Sequence, residues 1–345
     1  MLTRVAGSPD AYPQKLDLNA WMVLVVVLDA ATYRGASFLD DRVLGPATQG
    51  AWVPLAEVFE SARRLSRERP LHFIFHTGHV GSTLVSRLLD ATGAVLSLRE
   101  PLPLRTLADA RDSLERPDSL LSAAQFDNVL ALFMRLWSRG YEATRSVVVK
   151  ATSSAGRLAV PLLAAGEGPR ALYMNLRAEP YLATLLAGAN SPSDLRGHGP
   201  ERMRRLQSRL AAPLLPLHAL SIGELAALSW LAETWTQREA LERFPGRILA
   251  VDFDRLLASP GDAMARILDH LGLAAEAREL TDLAQSPVLA RYSKAPEHVY
   301  SPEVRAEVLR ESRQDNRAEI GKGMAWLEAR ARADPAVAAV LAAAA

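Results

Sequence analysis

The stretch His72-Phe73-Ile74-Phe75-His76-Thr77-Gly78-His79-Val80-Gly81-Ser82-Thr83-Leu84-Val85-Ser86-Arg87-Leu88-Leu89 runs from an apolar strand through a glycine loop into an amphipathic helix. It reads as a phosphate cradle. Gly78 and Gly81 let backbone amides turn toward an anion, and His79 and Val80 complete the turn between them. The helix start adds partial positive charge, and Ser82 and Thr83 supply hydroxyl donors. A nucleoside-triphosphate loop of the form G-x-x-x-x-G-K-[ST] would place glycine at His76 and lysine at Ser82. The loop therefore suits a phosphate but lacks the lysine that reaches the β- and γ-phosphates of ATP or GTP.

Around this loop the chain alternates strand-like and helical patterns. Apolar runs at 71–76, 94–98, 146–151, 171–176 and 248–253 predict strands, and helical periodicity fills most of the intervals. That alternation predicts an α/β fold with a parallel sheet flanked by helices. Ligands of such sheets gather at the carboxyl ends of the strands, where residues 76–83 fall. Residues 1–69 form an N-terminal extension with its own apolar run at 21–28, a polar turn region and a helical pattern over 54–69. It is too short to bury much core by itself and is expected to pack on the domain formed by residues 70–330. The turn formers of 190–200 predict a mobile lid or surface loop, and 290–301 a second loop. Two helical stretches run to Arg332, and residues 331–345 read as an alanine-rich tail, a frayed helix.

Composition narrows the function classes. Of 345 residues 49% are hydrophobic and 23% charged, with a net charge of +1, so nothing attracts nucleic acid or an anionic membrane globally and any anion site is local. Of the 40 basic residues only Lys15, Lys150, Lys294 and Lys322 are lysines. There is no cysteine, which removes disulfides, thiolate metal sites and a cysteine nucleophile. The start of the chain has no apolar signal core, and the run at 21–28 is far shorter than the ~20 residues of a membrane helix. A cytoplasmic location is the expectation. His72, His76 and His79 invite a metal reading, but His79 leaves the strand face that the other two share, and neither cysteine nor nearby carboxylate completes a set. No metal is expected. Asp252 and Asp254 imitate a Mg²⁺-binding aspartate after a strand, but Asp254 as cap of the following helix is the simpler reading.

Several separated pieces resemble the sulfotransferases, the P-loop-related family that moves a sulfuryl group from 3′-phosphoadenosine 5′-phosphosulfate to an acceptor. His79-Val80-Gly81-Ser82-Thr83-Leu84 resembles their 5′-phosphosulfate loop. Val147-Val148-Val149-Lys150 is similar to their lysine strand, and Tyr173-Met174-Asn175-Leu176-Arg177 followed by Pro180 to their 3′-phosphate element. Trp230, then the strand before Asp252-Phe253-Asp254, with Pro260 and Leu271-Gly272-Leu273, follows the order of their later motifs. Tyr292-Ser293-Lys294 with His298 resembles the loop that closes over the nucleotide, with Ala295-Pro296 where those proteins have Gly-Arg.

The resemblance implies a P-loop-like sulfotransferase fold over about residues 70–330. It also implies 3′-phosphoadenosine 5′-phosphosulfate as co-substrate without a metal, and an unknown hydroxyl or amine acceptor. Gly78 to Thr83 would hold the 5′-phosphosulfate, Arg177 and Thr184 the 3′-phosphate, and Ser293 with Lys294 would close the site. Thr184 stands one residue before the position of the family's serine, which here is Leu185. Glu100, seventeen residues past Thr83, would take the acceptor's proton, while His79 and Lys150 stabilise the leaving phosphate. Arg99 and Arg105 would pair with Glu100 or meet the acceptor. Where the family usually has Lys or Arg, His79 donates one hydrogen bond and is charged only if its pKa is raised. An ATP-dependent small-molecule kinase and a non-catalytic nucleotide sensor stay open beside this reading.

Overall fold

The computed structural model describes residues 7–65, 68–210, 212–273, 277–294 and 297–343. Two sheets organise it. Strands β1 (Ala11–Asp17), β2 (Met22–Val27) and β3 (Gly50–Pro54) form an antiparallel sheet in that order. Strands β4 (Leu71–His76), β5 (Val95–Arg99), β6 (Ser146–Lys150), β7 (Ala171–Asn175) and β8 (Ile248–Asp252) form a parallel sheet in the order β5-β6-β4-β7-β8. The five expected strands are all present, each within about one residue of its reading. The apolar run at 21–28 is the strand β2.

This order places the phosphate loop. From β4 the chain crosses to β5 and β6 on one side and later to β7 and β8 on the other, so β4 stands at the point where the winding reverses. The crevice beyond its carboxyl end opens there. β4 and β6 are buried throughout, which is why they read as continuous apolar runs rather than alternating ones. Alternate residues feed two cores. Phe73, Phe75, Val147, Val149 and Tyr173 pack on one face with Tyr12, Val23, Val25 and Val53 of the N-terminal sheet. Ile74, Val148, Leu172 and Met174 pack on the other face with the helices Ser82–Ala91, Ala178–Leu186 and Ile222–Arg243. Trp230 belongs to this second core, buried, with its indole N–H donating to Leu176 O at 2.9 Å.

Three expectations change. Residues 190–200 are not a loop but the start of a helix, Ser191–Gln207. A proline in the first turn begins a helix as readily as it ends one, and Leu195, Gly199, Arg202 and Leu206 recur on its buried face. The alanine-rich tail is the helix Pro335–Ala343, with Val337 and Val340 fully in the core instead of frayed. Asp252, not Asp254, caps the helix Phe253–Ala258, accepting from Arg255 N. Asp254 instead pairs with Arg305 at 2.8 Å.

Candidate functional site

The loop after β4 is built under strain. Gly78 and Gly81 have φ of +107° and +73°, and His79 between them sits at +54°. The left-handed conformation is costly for a side chain with a Cβ and recurs where a site demands it. Among the described non-glycine residues it also occurs at Trp21, in the β1–β2 turn, and at Glu100, with φ of +57°. Two of the three such residues therefore face each other across one site.

His76 holds the loop from below. Its Nδ1 accepts from Gly78 N at 3.1 Å, so the ring proton is on Nε2, which donates to Ala151 O at 2.8 Å. Burial, reinforced by the Lys150 charge, pushes His76 well below its ordinary pKa and keeps it neutral. Gly81 starts the helix Ser82–Ala91 with no side-chain cap. The Thr83 hydroxyl beside it is buried without a hydrogen-bond partner. An uncapped helix start next to an unpartnered hydroxyl has the donors that suit an anion.

Two cavities open at this loop. The first, about 390 Å³, is lined by His79 to Leu84, Thr184, Ser293, Lys294, and the aromatic and cationic side chains of Tyr292, Tyr300 and Arg305. The second, about 170 Å³, takes in Gly78, Glu100, Arg105, Asp194, His198 and Phe38 from the N-terminal extension. His79 and Lys294 belong to both. Ser293 is secured through its carbonyl, which accepts from Arg87 Nε at 2.8 Å, and Arg87 also donates to Ser37 Oγ at 2.8 Å. One arginine thus ties the phosphate-loop helix, the late loop and the extension together. Ala295 and Pro296 lie outside the described residues.

Glu100 is 7% exposed, with one oxygen paired to Lys150 and the other to Arg105 Nη2 at 3.2 Å. Burial works to raise its pKa, but Lys150 above all, with Arg105, overrides that and holds it down at about 2. Lys150 is completely buried behind this carboxylate and lines neither cavity. Its expected reach to the transferred group is therefore indirect, through Glu100. Burial, then Lys294, pushes His79 down to about 4, so it is a neutral donor at physiological pH. Burial, then Lys150, lowers Lys294 to about 8.

Arg177 is the expected residue that the structure does not bring to the loop. It stands exposed at the start of the helix Ala178–Leu186 and lines a separate cavity of about 550 Å³ with Asp252 and Arg255. That cavity shares no lining residue with the other two. Thr184 does reach the first cavity, although its hydroxyl donates to Pro180 O at 2.7 Å in its own helix. The cation that sequence reading missed is Arg305, on the helix Pro302–Asp315, whose Nη2 is buried with no partner. No local motif marks it; only the packing of that late helix over the loop brings it in. Arg99 is likewise no acceptor ligand: it is buried against Asp90 and donates to Tyr33 O and Ala36 O at 2.8 and 2.9 Å.

Three buried neutral histidines set an acid limit on stability. His72 and His79 are pushed to about 4 by burial and His76 well below its usual value. The unfolded chain binds their protons at the ordinary 6.5, so this stability is complete above pH 6.5 and is lost as pH falls below it. Urea unfolding at pH 7 and pH 5 should differ by roughly 2 kcal/mol from His72 alone, with His76 and His79 acting in the same direction. Equal midpoints at the two pH values would remove the neutral assignment.

No protein-family model and no curated protein sequence matches the chain. Among solved structures it is similar to the sulfotransferase domain from the curacin biosynthetic pathway, 14% identical over 72% of this chain and 98% of that one, with a TM-score of 0.43. It is also similar to sulfotransferase STF9 from Mycobacterium avium, 14% identical over 84% and 92% of the two chains at 0.40. A third is mouse sulfotransferase SULT7A1 complexed with PAP, 10% identical over 82% and 92% at 0.40. Likeness of this degree carries no functional argument, and the reading of function rests on the residues of the site. Among the described residues no helix is long and apolar enough to cross a membrane.

Proposed function

We propose that this chain is a sulfotransferase, moving a sulfuryl group from 3′-phosphoadenosine 5′-phosphosulfate to a hydroxyl or amine acceptor. The observation that carries the reading is the meeting of two cavities at His79 and Lys294, with an open helix start on one side and Glu100 on the other. The nucleotide occupies the first cavity, its 5′-phosphosulfate on the amides of Gly78 to Thr83 and the orphaned Thr83 hydroxyl. Arg305 takes the second phosphate in place of Arg177, and Tyr292 and Tyr300 border the base.

The acceptor enters from the second cavity, in line with the bond to be broken. Its oxygen or nitrogen bonds to sulfur while the bridging S–O bond breaks, and the electron pair leaves on the 5′-phosphate oxygen. His79 and Lys294, at the junction, donate to the oxygens where that charge collects. The acceptor's proton goes to Glu100. A carboxylate held at about 2 is a weak base, but an arriving sulfonate adds negative charge beside it and so raises its proton affinity.

Calorimetry with 3′-phosphoadenosine 5′-phosphate against ATP with Mg²⁺ tests the reading. The bisphosphate should bind more tightly, and Arg305→Ala should weaken it tenfold or more while Arg177→Ala changes it by less than about threefold. Preference for ATP would move the protein to the kinases. Bisphosphate binding without transfer to any acceptor would favour a nucleotide sensor, the reading to which the neutral His79 lends support. Affinity should also fall as pH rises through about 8, because Lys294 loses its charge in the free protein there. Lys294→Met should flatten that profile; an unchanged slope in the variant would discard Lys294 as a phosphate ligand.

A further inference from the structure

We infer that the second cavity takes a small neutral polyhydroxylated acceptor, of the sugar or cyclitol class, because its walls are ionic and polar groups that already compensate one another. This rests on the sulfuryl-transfer reading and names the acceptor class for the same site. Glu100 is answered by Lys150 and Arg105, and Arg202 donates to Glu233 at 3.2 Å. Asp194 lies 3.6 Å from His198 one helical turn on, and burial pushes that histidine below its ordinary pKa, so the pair is polar, not ionic. The wall therefore presents carboxylate acceptors and guanidinium and imidazole donors side by side, and Lys294, the remaining cation, stands at the junction where the donor binds. Hydroxyl groups, which donate and accept at once, can satisfy both kinds.

Size and the aromatic content of the wall point the same way. The cavity's volume of about 170 Å³ suits a small acceptor. Phe38, brought in by the N-terminal extension, does not offer a free stacking platform. The Arg42 guanidinium sits 3.7 Å from its ring centroid and the Lys150 ammonium 5.8 Å away. A flat apolar acceptor would shield Arg105, Asp194 and His198 from water without replacing the hydrogen bonds that water gives them, which is costly, whereas a polyol replaces them. Arg105 Nε is already buried with none. The helix Ser191–Gln207 supplies Asp194, His198 and Arg202 from one face, so the acceptor is read by a rigid element.

The test uses the full chain with radiolabelled 3′-phosphoadenosine 5′-phosphosulfate and measures transfer to glucose, galactose and myo-inositol against 2-naphthol and tyramine. At least one polyol should exceed both aromatic acceptors tenfold or more in kcat/KM. His198→Ala, at a half-exposed position where folding is unaffected, should raise the polyol KM about tenfold with kcat and bisphosphate affinity little changed. Preferential transfer to 2-naphthol or tyramine would overturn the acceptor class and leave sulfuryl transfer standing. Bisphosphate binding with no transfer to any polyol would overturn it as well. Absence of both binding and transfer would take down the functional reading and this inference together.

Discussion

Replacing Lys150 with methionine should destabilise the protein by about 3–5 kcal/mol and lower kcat for sulfuryl transfer a hundredfold or more. The methionine fills most of the space, so the loss is electrostatic. Glu100, 7% exposed, would keep a charge answered by Arg105 alone at 3.2 Å. The double variant Lys150→Met/Glu100→Gln should recover most of the stability, since removing both members of a buried pair costs far less than removing one. It should not recover turnover, because no carboxylate remains to take the proton. Bisphosphate affinity should stay within a few-fold in both variants, as Lys150 lines neither cavity. Acid unfolding reads the same pair. Glu100 is depressed from 4.5 to about 2, so its contribution is present above about pH 4.5 and is lost as pH falls toward 2. A Lys150→Met variant less than 1 kcal/mol weaker than the parent would contradict this account of the pair.

Gly81→Ala should be the most damaging change in the phosphate loop. A Cβ built on Gly81 would lie 2.0 Å from Cε2 of Phe253, a buried ring, and the backbone there has φ of +73°. The conformation alone costs about 1–2 kcal/mol for alanine, and either Phe253 or the loop must also move. On the proposed function amides of the same loop hold the 5′-phosphosulfate, so bisphosphate affinity should fall a hundredfold or more and the unfolding midpoint should drop together with it. Gly78→Ala is the contrasting case. Its φ is +107°, but the nearest atom to a new Cβ is the Tyr181 hydroxyl at 3.5 Å, so strain acts without a clash. Its effect on affinity should be clearly the smaller of the two. Equal losses in the two variants would show that loop conformation, not the contact with Phe253, governs the site.

Most of the scaffold was legible because its signals are local. A buried parallel strand is a short continuous apolar run, and each of β4 to β8 has one bounded by turn residues. The phosphate loop was legible for the same reason: glycines, hydroxyls and a helix start stand within eight residues. Errors fell where one local pattern has two tertiary outcomes. Asn190-Ser191-Pro192-Ser193-Asp194 serves a loop or a helix start equally well, and burial of Leu195, Arg202 and Leu206 decided for the helix. The alanine-rich end became a packed helix because Val337 and Val340 found a core to enter.

The amino-acid sequence by itself determined the alternating architecture and the glycine loop, since these depend on residues adjacent in the chain. Only the tertiary structure decided which distant cation joins that loop. Arg177, at a strand end, faces another cavity, while Arg305, more than two hundred residues from Ser82, lines the first with its Nη2 unpartnered and its Nη1 held by Asp254 at 2.8 Å. It likewise chose Arg105 over Arg99 as the arginine paired with Glu100, added Lys150 on the other oxygen and lowered the carboxylate's pKa. The physical reason is common to these cases. Local conformation follows from backbone sterics and periodicity along the chain, whereas the direction of a long side chain and the charge state of a buried group follow from neighbours that only packing brings within a few ångströms.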